Sequence, residues 1–427
     1  MKRKHDQYNI SSNVDNDVLR QFVMAFDHVN RDQQTIVLPS GESTTKEQLL
    51  LKVIDLYPSY ANTYYHLALI LKAENRSSII LTSGLSMTEQ QLFLKAIEHY
   101  PNNSQYYHNL ARTLSIGESI TLNNGQSMTK QQLYLKSIEC DPTNSYSYHN
   151  LATTLSIGES ITLNNGQSMT AQQLYLKSIE YDPTYYRSYY NLAITLSNGE
   201  SITLNNGQSM TEQQLYLKAI ECDPTDSDSY YNLTTTLSRD ELITLNNGQS
   251  MTAQQLFLKS IECNPNKYDS YYNLANSLSR GESITLNNGQ SMTQQQLYLK
   301  AIECDPTNSN SYHNLATTLS SGESITLNIG QSMTKQQLYL KAIECDPTNS
   351  CSYYKLLITL SSGESIILNN GQSMTKQQLL LESLRIGHRQ RMVYKLIGLT
   401  LLNNKQTITL PNGEQMTRRQ LLQKARE

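Results

Sequence analysis

The stretch NNGQSMTEQQLYLKAIECDP, Asn205 to Pro224, decides the fold, because the chain writes it many times over. Close copies begin at Asn123, Asn164, Asn246, Asn287 and Asn369. Its glycine is a ruler. It falls at Gly41, Gly84, Gly125, Gly166, Gly207, Gly248, Gly289, Gly330, Gly371 and Gly413, spaced by 41 through the middle, 43 after the first copy and 42 before the last. A fixed period of this length marks units too small to bury a core alone, which stack to share one. The ten units occupy residues 18–427 behind a flexible tail at 1–17. The divergent first and last units, at about 18–61 and 385–427, read as caps with one side turned to water.

Each unit has three parts. The first is a short helix such as SYYNLAITLS, Ser188 to Ser197, where Tyr189, Leu192, Ala193 and Leu196 share one helical face. An Asp-Pro-Thr motif before it, as at Asp182 to Thr184, ends the previous helix and offers a hydroxyl near the start of the next. Asparagine recurs within this helix at 109, 150, 191, 232, 273 and 314. It is a mediocre helix former, so a hydrogen bond between neighbouring units is the expected reason for it.

The second part, GESITLNNGQSM, admits two turns. A two-residue Asn-Gly loop would put Met210 on the opposite face from Ile202 and Leu204. A three-residue loop, Asn205-Asn206-Gly207, pairs Ile202 with Met210 and places all three apolar side chains together. The end units decide for the latter. They read LPSGE at Leu38–Glu42 and LPNGE at Leu410–Glu414, with proline suited to a type I turn and glycine to the left-handed position after it. The third part is a second helix. Thr211 and Gln214 form a capping box, Leu215, Tyr216, Ala219, Ile220 and Cys222 a buried stripe, and Asp223-Pro224 the stop. The fold class is mainly α: helix, hairpin, helix, repeated.

Composition excludes several roles. In 427 residues Lys and Arg number 34 against 37 Asp and Glu, a formal charge of -3. That gives no electrostatic reason to expect nucleic acid or an anionic membrane as partner. The basic start, MKRKH, is followed by no apolar segment of the secretory kind, and no run of 18 apolar residues could span a bilayer. A cytoplasmic address is the expectation. Five of six cysteines, Cys140, Cys222, Cys263, Cys304 and Cys345, share one repeated slot that Tyr181 and His99 fill elsewhere. Such a slot is a packing position for reduced thiols, and its spacing suits neither disulfides nor a metal knuckle.

The pattern resembles the tetratricopeptide repeat. Tyr189, Leu192 and Ala193 match that family's first helix, and Ala219 and Pro224 its second helix and stop. The match recurs at Tyr312, Leu315, Ala316 and Ala342, and at Tyr148, Leu151 and Ala152 with Ser178 as the small residue. The unit departs from the family's 34 residues by a seven-residue growth of the inter-helix turn into the hairpin. The alanine expected early in the second helix is also replaced, by Glu212 or Gln213. The resemblance implies a TPR-like right-handed superhelical solenoid whose first helices line a concave groove. It also implies a non-enzymatic scaffold or adaptor that binds a peptide or protein partner there.

By that resemblance the groove candidates stand one residue before the asparagine and three after it. The first set is His108, His149, Tyr190, Tyr231, Tyr272, His313 and Tyr354. The second is Arg112, Thr153, Ile194, Thr235, Asn276, Thr317 and Ile358. Either they form a recognition wall, or they pack against the adjacent unit. Catalysis has no support: His108 sits where sister units carry Tyr, and there is no H-x-x-x-H pair, nucleophile elbow or phosphate loop. No cofactor is expected. Arg385, His388, Arg389, Arg391 and Lys395 make a local basic patch, read as a solvated cap face or as a docking site for an acidic partner or a second copy. Self-association is the alternative function. Matched faces and polar hairpin edges, such as Thr203 and Ser209, could stack copies end to end.

Overall fold

The computed structural model describes residues 35–37, 43–197, 199–238, 241–361, 363–387, 390–403 and 405–426. The tail at 1–17, the start of the first cap at 18–34, the turn at Gly41, and His388 and Arg389 lie outside them. The chain divides into two compact units, Met1–Glu212 and Gln213–Glu427. Both are built from the same element order, stacked helix pairs with a β-hairpin between the members of each pair. In the first unit one repeat runs through the helix Ser145–Ala152, strands Ser160–Thr162 and Ser168–Thr170, and the helix Ala171–Tyr181. In the second an equivalent repeat runs Ser309–Thr318, Ser324–Thr326, Ser332–Thr334 and Lys335–Cys345.

The hairpins take the three-residue loop. Ile202 pairs with Met210 and Thr203 with Ser209. Leu204 N–H donates to the Gln208 carbonyl at 2.8 Å, and Gly207 N–H donates back to the Leu204 carbonyl at 2.9 Å. Gly207 stands at φ +86°, the left-handed region that lets the chain re-enter the second strand. Leu204 and Met210 are buried on the face shared with Ile202. A hairpin this short is held by its neighbours. Asn164 at one tip donates to the Glu139 carboxylate on the preceding second helix, where Lys136 already pairs with Glu139 at 2.6 Å. The same Lys–Glu–Asn link recurs from Lys95, Glu98 and Asn123 to Lys341, Glu344 and Asn369.

The second helices begin as expected. The hydroxyl of Thr170 accepts from Gln173 N–H while the Gln173 side chain accepts from Thr170 N–H, and the same box opens the helices after Thr129, Thr293 and Thr334. Leu215, Tyr216, Ala219 and Ile220 are buried, whereas Cys222 at the helix end is only half-buried. The first helices differ from the expectation at both ends. Tyr186–Ile194 replaces Ser188–Ser197. The Thr195 hydroxyl bonds back to the Leu192 carbonyl at 2.7 Å, and the Glu200 carboxylate accepts from Ser197 N–H at 2.9 Å, so side chains close the loop before another helical turn forms. The Asp-Pro-Thr threonine also behaves differently. The Thr143 hydroxyl donates to Asp141, and the next helix is capped by Asn144, whose side chain accepts from Ser147 N–H.

Candidate functional site

The residue before each asparagine couples successive repeats. His108 is buried, its Nδ1 at 3.0 Å from the Ser147 hydroxyl of the next first helix. His149 makes the same contact to Ser188 at 3.0 Å, and His313 to Ser352 at 2.8 Å. Ser147 and Ser188 lie 2.7 Å from the buried hydroxyls of Ser137 and Ser178, whereas the second-helix residue ahead of Ser352 is Ala342. After Ala301, Ser311 turns its hydroxyl to the capping Asn308 at 3.0 Å. Tyr231 and Tyr272 occupy the histidine slot and accept at 3.0 Å from Asn273 and Asn314, the asparagines of the following repeats. Asn109 likewise donates to the Tyr65 hydroxyl at 3.2 Å. The asparagines therefore hold neighbouring repeats together. Tyr354 is buried, and Tyr190 half-buried.

Burial fixes the charge of these histidines. It pulls His108 down to about 3, with the Arg112, Lys72 and His149 charges adding to it, and His149 down to about 4, with Arg187 adding. A neutral imidazole bonded to serine has the parts of a base–nucleophile pair. Ser147 and Ser188 are nevertheless sealed in the core, where a substrate cannot reach them.

The second set faces outward. Arg112, Thr153, Ile194, Thr235, Asn276, Thr317 and Ile358 are all exposed. A further column, four residues before the asparagine, shares their side of the helix by the i, i+4, i+7 rule. It holds Gln105, Tyr146, Arg187, Asp228, Asp269, Asn310 and Cys351, each exposed or half-buried. Reading the first helices from their asparagines alone passes over this column. Its signal is in the sequence: across closely similar units this position changes almost every time, as the cap two residues before it and the first residue of the second helix also vary. Variation along an outward side is what a solvent-facing recognition surface leaves behind.

Two kinds of recess open along the units. One of about 500 Å³ is lined by Thr317, Lys335, Tyr339, Lys355 and Ile358, on the first-helix side. The other kind lies between a hairpin and the helices beside it, about 690 Å³ around Met169, Lys177, Tyr189 and Asn205. Glutamine stands where the family's early second-helix alanine is missing. Gln172 donates at 3.3 Å to the Thr195 carbonyl ending the next first helix, and Gln336 does so at 3.3 Å to Thr359, a bridge in place of close approach. Cys140, Cys263, Cys304 and Cys345 are half-buried, each pointing its Sγ at the carbonyl of Pro101, Pro224, Pro265 or Pro306, and burial raises their thiol pKa values. They are poor nucleophiles. Among the described residues no group of three or more His, Cys, Asp or Glu side chains could hold a metal ion. Among them, too, no helix is long and apolar enough to cross a membrane.

A tetratricopeptide repeat family profile matches residues 92–132, 133–173, 174–214, 215–255, 256–296, 297–337 and 338–378 without a gap. The chain belongs to the tetratricopeptide repeat family. It is a helix-pair repeat protein of the protein-interaction kind, in a variant with a hairpin inside every unit. No curated protein matches it. Solved structures with a similar course include YrrB, described as a TPR protein with an unusual peptide-binding site, at 17% identity over 52% of this chain and 97% of that one. Yeast Tom70 is 13% identical over 83% and 76% of the two chains. The C-terminal part of a TPR repeat-containing protein from Cytophaga hutchinsonii is 18% identical over 73% and 98%. All three have a TM-score of 0.32, a likeness too loose to carry function across.

Proposed function

We propose that this tetratricopeptide repeat protein binds an extended or helical segment of a protein partner along its first-helix side, in the cytoplasm. One observation carries the reading. Sister units agree over most of their length, and two of the columns where they disagree most, four before and three after the asparagine, are solvent-facing on one side of the same helix. The column one before the asparagine contributes differently: its residues fix the spacing of neighbouring repeats and so the spacing of the outward columns.

The test is to pan a random short-peptide library against the full chain and measure the selected peptides by fluorescence anisotropy. Joint replacement of Tyr146, Ile194, Thr317 and Ile358 by Glu should lower affinity at least about tenfold, some 1.4 kcal/mol. Glu at Thr203 and Ser209, on a hairpin edge, should leave it unchanged. The reverse pattern would move the site to the hairpins.

The alternative, self-assembly, draws support from the hairpins. Each is a separate two-stranded sheet, so its outer edges are unpaired with other strands among the described residues. Light scattering across a concentration series separates the two readings, since a mass fixed near 48.5 kDa excludes assembly.

A further inference from the structure

The tenth repeat departs from its sisters on the first-helix side. In the helix Gln390–Thr400 the two outward places fall to Met392 and Leu399, and Lys395 stands where His108 and Tyr354 are buried in their own repeats. Lys395 is exposed. Met392 is 44% exposed, Leu399 53% and Leu402, just past the helix, 83%, with exposed Lys405 in the loop that follows. The glutamate that closes this loop elsewhere is missing. Gln406 accepts from Leu402 N–H at 2.7 Å, whereas one repeat earlier Glu364 accepts from Ser361 N–H. The nearest carboxylates in sequence have cations of their own, Glu382 with Arg385 at 2.6 Å and Glu414 with Lys424 at 3.9 Å. Lys395 and Lys405 pair with no carboxylate among the described residues. Residues 385–427 hold nine Lys or Arg against two Glu, a formal charge of +7, so the first 384 residues carry -10.

The opposite combination lies in the first compact unit. The turns after the helices Ser145–Ala152 and Tyr186–Ile194 carry Glu159 and Glu200, both exposed, each accepting from the N–H of Ser156 or Ser197 at 2.9 Å. Neither has a Lys or Arg partner among the described residues. At other turns a second-helix lysine comes close: Lys130 donates to the Leu114 carbonyl at 2.7 Å, and Lys335 to that of Leu319 at 2.8 Å. At these two turns Ala171 and Glu212 hold the lysine's place. Between Pro142 and Leu176 the chain has no Lys or Arg, and Arg187 stands at the other end of its helix from Glu200, over the Tyr186 ring at 5.6 Å. Beside the carboxylates, Ile157 is 104% exposed and Ile194 52%. One face is thus apolar with unpaired lysines, the other apolar with unpaired glutamates.

We infer that the chain associates with a second copy of itself, the helix Gln390–Thr400 and its closing loop docking on the turns around Glu159 and Glu200 of the other molecule. Lys395 and Lys405 meet the two carboxylates, and Leu399 and Leu402 cover Ile157 and Ile194. A second copy is singled out as the occupant because both complementary faces belong to this one chain. The contact joins two different faces, so a copy that uses one still has the other to offer. This gives the self-association alternative two named faces and leaves the peptide site to its own test.

Light scattering of the full chain, across a concentration series at low salt and at about 0.5 M salt, provides the test. Mass should rise above 48.5 kDa with concentration at low salt and fall back at high salt. The Lys395→Glu, Lys405→Glu double variant and the Glu159→Lys, Glu200→Lys double variant, each with an unchanged circular dichroism spectrum, should each associate at least about tenfold more weakly. Mixing the two should restore association, because each then meets a face of opposite charge. Glu159→Gln with Glu200→Gln keeps the turn bond, as Gln406 does, and should also weaken association. A mass fixed near 48.5 kDa in the natural chain would overturn the inference and leave the peptide reading standing. So would association that the charge reversals leave unchanged, or that their mixture fails to restore.

Discussion

The first and second units are built from almost the same sentence and expose different chemistry. Around Tyr146, Arg187 and Ile194 the first unit is aromatic, aliphatic and cationic. The matching columns of the second unit hold Asp228, Asp269, Asn276, Asn310 and Thr317, with Thr235, Cys351 and a similarly exposed Ile358 beside them. There Lys267 is already paired with Asp228, and carboxylates act on Tyr231 and Tyr268 where arginines act on Tyr185. In the leucine core nothing comparable separates them. Leu133 and Leu297 are both fully buried, and so are Leu192 and Leu315. A repeat can thus vary its face freely because the face contributes little to the stack, while the core is repeated because every unit needs it.

The largest effects should therefore be equal in the two units. Leu133→Ala and Leu297→Ala each remove a fully buried side chain at the same position, and each should cost about 3 kcal/mol in urea unfolding. A difference well above about 1 kcal/mol between them would show that the two stacks are not energetically the same scaffold.

Acid should break the symmetry. His108 and His149 sit in the first unit with folded-state pKa values of about 3 and about 4, below the ordinary value of 6.5, because burial disfavours their charged form. The unfolded chain takes up those protons as pH falls below about 6.5, while the folded chain refuses them until about 4 and 3. Stability is full above that window and declines through it, by about 1.4 kcal/mol per pH unit for each histidine. The carboxylates that bind lysine and asparagine, such as Glu139 and Glu303, have lowered values and lose their contribution only in stronger acid, in both units. Between pH 7 and 5, hydrogen exchange should loosen the helices around His108 and His149 more than those around Tyr231 and Tyr272. His108→Tyr with His149→Tyr, the residue of the sister units, should flatten the dependence. Equal loosening around Tyr231 and Tyr272 would contradict the burial of neutral imidazole at His108 and His149.

A glycine in the hairpin offers a smaller, again symmetric, effect. Gly207 and Gly289 both hold φ +86°, and a Cβ at either would meet no atom within 4 Å. Replacement by Val therefore costs backbone strain alone, on the order of 1–2 kcal/mol in either unit. Replacement by Asn, which tolerates the left-handed region, should cost less. A Val variant that melts like the natural chain would refute the turn.

Much of this is legible in the amino-acid sequence alone. Period, hairpin register, capping boxes and the buried stripe follow from local rules, because Thr211, Gly207 and Leu215 act on residues a few positions away. What is not legible depends on contacts between units. The role of His108 needs Ser147, 39 residues away, and the hairpin tip Asn164 needs Glu139, 25 residues back. The ends of the first helices escape the periodicity for a related reason. Glu200 and Thr195 compete for backbone groups through side chains, which apolar spacing does not register. At the candidate site the columns around the asparagine can be named from sequence, but not which of them faces inward. Packing against the next repeat sorts His108 from Arg112, and the column of Tyr146 and Asp228 stands out only once the outward side is known.

The smallest expected effect concerns the link that ties hairpin to helix. Lys136 and Lys300 pair with Glu139 and Glu303 three residues on, at 2.6 Å and 2.7 Å. These pairs are partly solvated, so Lys136→Met or Lys300→Met should cost no more than about 0.5 kcal/mol. Each glutamate keeps its bond from the hairpin asparagine, Asn164 or Asn328, when the lysine is gone. The loss should fade at high salt, equally in both units, because screening removes what the exposed pair contributes. A cost several times larger, or one insensitive to salt, would mean that the lysine orders the hairpin itself, and the stack would then depend on its surface links as much as on its leucines.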